Sequence, residues 1–167
     1  FEEVQQNILN LKNKRGLISG STCLLNIMYK QKDDIIMNLV NLGDCRAVIV
    51  YNDGNYKQIT RDHKPDDPIE EKRINEIGEE IYKDTEGIFR VGDLSVSRSF
   101  GDGDQGNNIS FIPDTHYHKI VEKTKYIVMG CDGLWDVIEN NELFNILENI
   151  KKEDKNLASE LARIALK

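Results

Sequence analysis

Apolar residues at Phe1, Val4, Ile8 and Leu11 recur at the spacing of one helix face, which predicts an amphipathic N-terminal helix that stops before "NKRG". From Thr22 the period shortens: "TCLLNIMY", "DIIMNLVNLGDCRAVIVY" and "YKQI" read as antiparallel strands, with turn chemistry at Lys30 to Asp34 and at Asn52 to Asn55. Asp67, Pro68 and Glu70 then supply a capping aspartate, a proline at the first helical position and a glutamate three residues after the cap. Gly78 follows Ile77 where a C-cap belongs, so "PIEEKRINEI" is a predicted helix. Strand-like segments return at "GIFRVGDLSVS" and "KYIVMG", on either side of the loop "GDGDQGNN". Leu143, Ile146, Leu147 and Ile150 mark one further helical stripe, and Leu157, Leu161 and Ile164 another. Strands in a block with helices inserted and appended imply an α+β fold with an antiparallel sheet rather than alternating β-α units.

The 167 residues are enough for one domain, and 39% hydrophobic with 31% charged residues is an ordinary globular balance. No apolar run approaches the roughly 20 residues of a membrane helix. A net charge of −7, without a basic cluster interleaved with aromatics, argues against a nucleic-acid partner and suits a cation site. The opening "FEEVQQNILNL" has neither a basic leader nor an apolar signal core. Cys23, Cys45 and Cys131 are odd in number and widely spaced, unlike a disulfide framework or a zinc knuckle. The expectation is a reducing, intracellular location, cytoplasmic or nuclear.

Candidate chemistry sits at the end of a strand. In "KYIVMGCDGLWDV" the apolar run meets Asp132, flanked by Gly130 and Gly133, with Asp136 four residues on. If the intervening chain is helical the two carboxylates share a face, and unit charges about 4 Å apart at an effective dielectric near 20 repel by about 4 kcal/mol. A hard divalent cation offsets that repulsion; the alternative is that Asp132 closes a turn and Asp136 caps a helix. Asp44 in "NLGDCRAV" is a second such carboxylate, read either as a cation ligand or as a hairpin-turn residue paired with Arg46. Arg98 in "SVSRSFGD" is expected to hold an anion or a structural carboxylate, and Asp102 opens the glycine-rich loop. That loop fails the EF-hand pattern, since Pro113 stands where the bidentate glutamate belongs. "GLISGST" lacks the P-loop lysine, and no G-x-S-x-G elbow is present. His63 is expected to be a structural hydrogen-bonding residue, and His116 with His118 to alternate on a surface strand rather than bind zinc. Metal-activated water is the hydrolytic route that needs no protein nucleophile.

Taken together, "SGST", "NLGDCRAV", "TRDHKPDDPIEEKRINEIG", "LSVSRSFGD", "PDTHYHKI" and "YIVMGCDGLWDVIENNEL" follow one another in the order of the type 2C protein phosphatases, which this sequence resembles from Ser19 to Leu143. The resemblance implies an α+β fold in which an antiparallel β-sandwich is flanked by α-helices. It implies a binuclear Mn2+ or Mg2+ centre whose bridging water attacks phosphoserine or phosphothreonine on a protein. Asp132 matches the aspartate that ligates the catalytic pair, while Asp44 and Asp136, with the same central aspartate, match the ligands of a third, weaker metal. Trp135 and Val137 are expected as core anchors.

Departures from the pattern set further expectations. The family's "D-G-H-G-G" block, which carries the general acid, is not found before "SGST", and the later "D-N" block is not found after "ASELARIALK". Residues 1–167 are therefore expected to form a single partial phosphatase domain with no catalytic acid of its own and little activity in isolation. Unpaired sheet edges are expected to invite dimerisation or strand exchange. Cys23, Cys45 and Glu79 stand where the family has a small residue, serine and a second glycine. A pseudophosphatase or interaction module on the same scaffold is the competing reading.

Overall fold

The computed structural model describes residues 1–15 and 19–166, with the elements, in chain order, α1 Glu2–Arg15, β1 Gly20–Ser21, β2 Cys23–Gln31, β3 Asp34–Leu42, β4 Arg46–Tyr51, β5 Tyr56–Gln58, α2 Pro68–Glu76, β6 Ile81–Lys83, β7 Phe89–Val91, β8 Phe100–Gly101, β9 Asp114–Ile120, β10 Thr124–Gly130, α3 Asp132–Trp135, α4 Leu143–Lys152 and α5 Leu157–Ala165. Every strand pair with a defined register is antiparallel, as the α+β reading requires. The chain divides into two compact units. One holds Phe1–Leu25, Val40–Asp44 and Asp62–Thr115; the other holds Asn26–Leu39, Cys45–Arg61 and His116–Lys167.

In the second unit β4 lies between β10 and β5, with Ile49 opposite Ile127 and Arg46 opposite Gly130. Ala47, Val48, Ile49 and Val50 are all fully buried, so β4 is covered on both faces, which accounts for its unbroken apolar run. Val48 and Val50, on one face, pack with Val128 against Trp135, Ile138, Leu143, Leu147, Ile150 and Leu161. This cluster draws on both predicted helical stripes. Asn156 caps α5, its side-chain oxygen accepting the Ser159 N–H at 2.9 Å. β10 is an edge strand of its sheet, and with α5 it borders an apolar cleft of about 680 Å³. β9 is the predicted strand, but His116 and His118 lie on its less exposed side while Thr115, Tyr117 and Lys119 face solvent.

The first unit departs further from the hydrophobic pattern. α1 continues through "NKR" to Arg15, beyond the predicted stop, because lysine and arginine sustain a helix. Its apolar stripe is not its buried stripe: Val4 and Leu11 are 47% and 46% exposed, whereas Gln5 is only 6% exposed. The Gln5 amide pairs with the backbone of Gly101 in β8 both ways, accepting its N–H at 2.9 Å and donating to its C=O at 3.3 Å. Phe1 stacks on Phe100 beside it, with ring centroids 4.8 Å apart. Positive φ at Gly101 leaves no room for a Cβ, which would stand 2.2 Å from the Ser19 carbonyl oxygen.

α2 begins and ends as predicted. The Asp67 side chain accepts the N–H groups of Ile69 and Glu70 at 3.0 and 3.3 Å, and Gly78 takes φ +80 after the last turn. Within "GIFRVGDLSVS" only β7 is a strand, and it pairs with β6, which the pattern does not reveal. Three residues with Tyr82 exposed are too short to show an alternation. The turn between them is closed by Asp84, which accepts the N–H of Glu86 and Ile88 and binds Arg90 at 2.7 Å.

Among the described residues no helix is long and apolar enough to cross a membrane, and Cys23, Cys45 and Cys131 are all free thiols. Replacing Gln5 by leucine keeps the volume but strips Gly101 of both partners. Such a variant is expected to lose about 1–3 kcal/mol of stability, read as a lowered urea midpoint at unchanged slope. A midpoint equal to the parent's would show that water replaces the amide without loss.

Candidate metal centre

The strand that carries Asp132 is held from behind by Trp135. Its indole N–H donates to the Gly130 carbonyl at 2.8 Å, closing the turn from β10 into α3. A Cβ on Gly130 would lie 2.7 Å from a Leu134 methyl, so the close approach requires glycine. The guanidinium of Arg46 stands 5.3 Å from the Trp135 ring centroid and donates to Asn140 Oδ1 at 3.1 Å. Trp135 is thus the predicted core anchor. Val137 is not: it is 51% exposed, and Ile138 takes the buried position, because α3 ends at Trp135 and the chain then turns.

α3 is a single turn, with the Asp136 N–H on the Asp132 carbonyl at 2.8 Å, so the two carboxylates stand one turn apart on it. Both residues are exposed. The Asp132 carboxylate accepts the N–H of its own neighbour Gly133 at 2.7 Å, and neither aspartate forms an ion pair with a described residue. Each carboxylate therefore has lone pairs open to solvent, a donor set that suits a hard cation.

Asp44 is differently placed. It lies in the first unit, only 4% exposed, and its ion-pair partner is Lys64 rather than Arg46. The loop that bears it is clamped to His63. The Gly43 N–H donates to His63 Nδ1 at 3.0 Å, and the His63 N–H donates to the Gly43 carbonyl at 3.1 Å. Asn41 Nδ2 donates a second bond to that carbonyl at 3.1 Å. Gly43 has φ +100, and a Cβ there would meet Thr22 Cγ2 at 2.3 Å. A cation, the Lys64 ammonium, already sits on the Asp44 carboxylate, so the electrostatics of the position favour positive charge. The donor chemistry of all three aspartates thus fits Mg2+ or Mn2+, although among the described residues no group of three or more His, Cys, Asp or Glu is assembled to hold a metal by itself.

Behind His63 runs a buried charge network that the sequence pattern suggests only in part. Nδ1 of the ring is an acceptor, so Nε2 carries the proton, 3.1 Å from Asp114 Oδ2. Burial lowers the imidazole's proton affinity, outweighing the attraction of Asp114, and the ring is neutral. Asp114 in turn accepts from Arg98 Nη1 at 2.9 Å, and Arg98 Nε lies 3.0 Å from each oxygen of Glu70. Arg98 thus holds structural carboxylates, one of the two roles read from its sequence context. Glu70 is fully buried and also accepts from Ser97 Oγ at 2.9 Å and Arg73 Nε at 3.3 Å. Burial alone would raise its carboxyl, but the bonds and charge of Arg98, with Ser97, outweigh that and hold it from its ordinary 4.5 down to about 2.

Asp102 is a turn residue at φ 45, bonded to the Ser99 hydroxyl and facing Gly20, where a Cβ would lie 1.9 Å from its carboxylate. Gly16, Leu17 and Ile18 of the "GLISGST" stretch lie outside the described residues.

Comparison with solved structures shows the fold. A serine-threonine phosphatase 2C from Toxoplasma gondii superposes with a TM-score of 0.85 at 23% identity, over 99% of this chain and 58% of that one. A C. elegans sex determining protein superposes with a TM-score of 0.83 at 28% identity, over 98% and 40%. The protein phosphatase 2C family model matches residues 1–167, and the chain belongs to that family. A PP2C-like domain-containing protein of Acanthamoeba polyphaga mimivirus is 40% identical over 124 residues, 71% of this chain and 68% of its own length. A probable protein phosphatase 2C of Oryza sativa subsp. japonica is 34% identical over 163 residues, 88% of this chain but 36% of its own length.

The depressed Glu70 carboxyl carries a sign. The folded state releases the proton more readily than the unfolded one, so its contribution is complete above pH about 4.5 and is lost as pH falls toward about 2. Stability measured across that window is expected to fall with decreasing pH, and more shallowly in Glu70→Gln, which starts from a lower plateau. Parallel profiles for the two proteins would remove Glu70 as the titrating group.

Proposed function

We propose that this chain is part of a metal-dependent protein serine/threonine phosphatase that hydrolyses phosphoserine and phosphothreonine on protein substrates. The observation that carries the reading is the pair of exposed carboxylates, Asp132 and Asp136, free of ion pairs among the described residues and delivered one turn apart by a strand whose end is locked by Trp135. Family membership over residues 1–167 supports it. Asp132 is assigned to a Mn2+ or Mg2+ pair, and Asp44 and Asp136 are each assigned as ligands of a hard divalent cation. Such ions, when bound, lower the proton affinity of water and neutralise the phosphoryl group.

The protein's own contribution is to hold these carboxylates in place. The Gly133 N–H fixes one Asp132 oxygen at 2.7 Å, and the His63 clamp fixes the loop of Asp44. The remaining ligands and the general acid are assigned to sequence outside these residues, in a catalytic domain longer than 167 residues. The three free thiols support an intracellular setting. The edge of β10, unpaired among the described residues, supports association with a second copy, for which sedimentation at rising concentration is the check and a strictly monomeric profile the refutation.

The test is hydrolysis of a phosphothreonine peptide by the natural protein that contains this chain, with Mn2+ or with EDTA. Activity is expected only with the metal, and Asp132→Asn is expected to lower kcat by about 100-fold or more. The 167-residue chain alone is expected to be nearly inactive. Turnover that survives both EDTA and the substitution would refute the reading, and a natural protein inert under every condition would favour a scaffold that binds without hydrolysing.

A further inference from the structure

Lys64 and Asp44 form an arrangement that the assignment of metal ligands does not explain. Asp44 is nearly inaccessible, yet its counter-ion reaches it from a side chain that is 37% exposed. We propose that Lys64 is a tethered, displaceable cation. It neutralises Asp44 when no metal is present and yields the carboxylate to a hard divalent cation, so that Lys64 sets how tightly that position binds metal. The inference rests on the reading of Asp44 as a metal ligand.

A carboxylate this deeply buried is costly unless paired, so Asp44 in the absence of metal requires a positive partner. A lysine ammonium supplies one as a single, strongly hydrated point charge on a flexible four-carbon stem. The partly exposed stem lets the ammonium return to water without drawing any buried group along.

The backbone is arranged so that this exchange leaves the ligand loop unmoved. His63, the residue before Lys64, is bound to Gly43, the residue before Asp44, by two reciprocal hydrogen bonds at 3.0 and 3.1 Å. Asn41 braces the same Gly43 carbonyl, and the Lys64 N–H is bonded to the Asp62 carbonyl at 3.0 Å. None of these bonds uses the Lys64 ammonium. The loop geometry is therefore fixed by the His63 clamp, while Lys64 decides only which cation the carboxylate holds. Among the described residues Asp132 and Asp136 carry no such counter-ion, whereas Asp44 is guarded by Lys64.

The test is Mn2+ titration of the metal-stripped natural protein that contains this chain, with free Mn2+ followed by its paramagnetic resonance signal. The parent is compared with Lys64→Met, Lys64→Arg, Asp44→Asn and the Lys64→Met/Asp44→Asn double variant. Removing one competing unit charge at contact distance is expected to tighten binding by about tenfold in Lys64→Met. The gain is expected to be absent in Lys64→Arg and abolished in the double variant. Thermal unfolding gives a second readout: Lys64→Met is expected to be less stable than the parent in EDTA and to gain more from Mn2+. Lys64→Gln, which keeps a neutral donor for the carboxylate, takes the place of Lys64→Met if that variant does not fold.

If Asp44→Asn weakens binding but Lys64→Met does not tighten it, Asp44 is a ligand and the proposed role of Lys64 is overturned. If all variants bind Mn2+ alike, or none binds it, the reading of Asp44 as a ligand fails and the proposal fails with it.

Discussion

Burying the Glu70 carboxylate commits everything around it. A lone carboxylate in that position would cost several kcal/mol, and the structure surrounds it with Arg98, Arg73 and the Ser97 hydroxyl, so that both oxygens are saturated. Arg98, so anchored, has its remaining donors directed at Asp114 and the Ile112 carbonyl. Asp114 stands 3.1 Å from His63 Nε2, and His63, whose tautomer the Gly43 N–H sets, grips Gly43 beside Asp44. The line runs from the first turn of α2 to the loop that bears a candidate ligand. Asp67 and Pro68 matter for the same reason, since they determine where Glu70 leaves the helix. A helix cap and an acidic site, unrelated by sequence distance, are mechanically one feature.

The second unit reaches rigidity by the opposite means. Its acidic pair rests on apolar packing: β4 and β10 meet the inward stripes of α4 and α5, and Trp135 closes the layer with one hydrogen bond. Glu148 adds a polar latch, accepting from Tyr126 and Lys125 at 2.7 Å each. A cluster of that size tolerates exposed carboxylates at its rim because the charges themselves remain in water.

What the sequence makes legible follows from the range of each signal. The α2 cap, the hairpin turns and the stripes of α4 and α5 are local patterns and appear where expected. Asp132 and Asp44 are legible as candidates because each meets an apolar run beside glycine, and Asp136 because it follows Asp132 by four residues. Their partners are not, since pairing depends on contacts between distant segments: Lys64 lies 20 positions from Asp44, and Arg98 lies 28 from Glu70. The misreadings share that cause. Gln5 looks like the polar face of α1 until Gly101 claims its amide, and Arg46 looks like the partner of Asp44 until Trp135 and Asn140 take it. Val137 opens the apolar doublet Val137-Ile138, but the chain turns past the end of α3 and buries only Ile138.

Trp135 is the chain's one tryptophan, and it occupies the position between the two open carboxylates that is anchored in the core. Its indole donates to the carbonyl that ends β10 and lies beneath a guanidinium, so its excited state senses both the closure of that turn and the charge above it. The protein thereby carries an optical reporter built into the acidic turn itself. Its emission colour follows loosening of α3 from the core, and its intensity follows any paramagnetic or quenching ion held by the flanking aspartates.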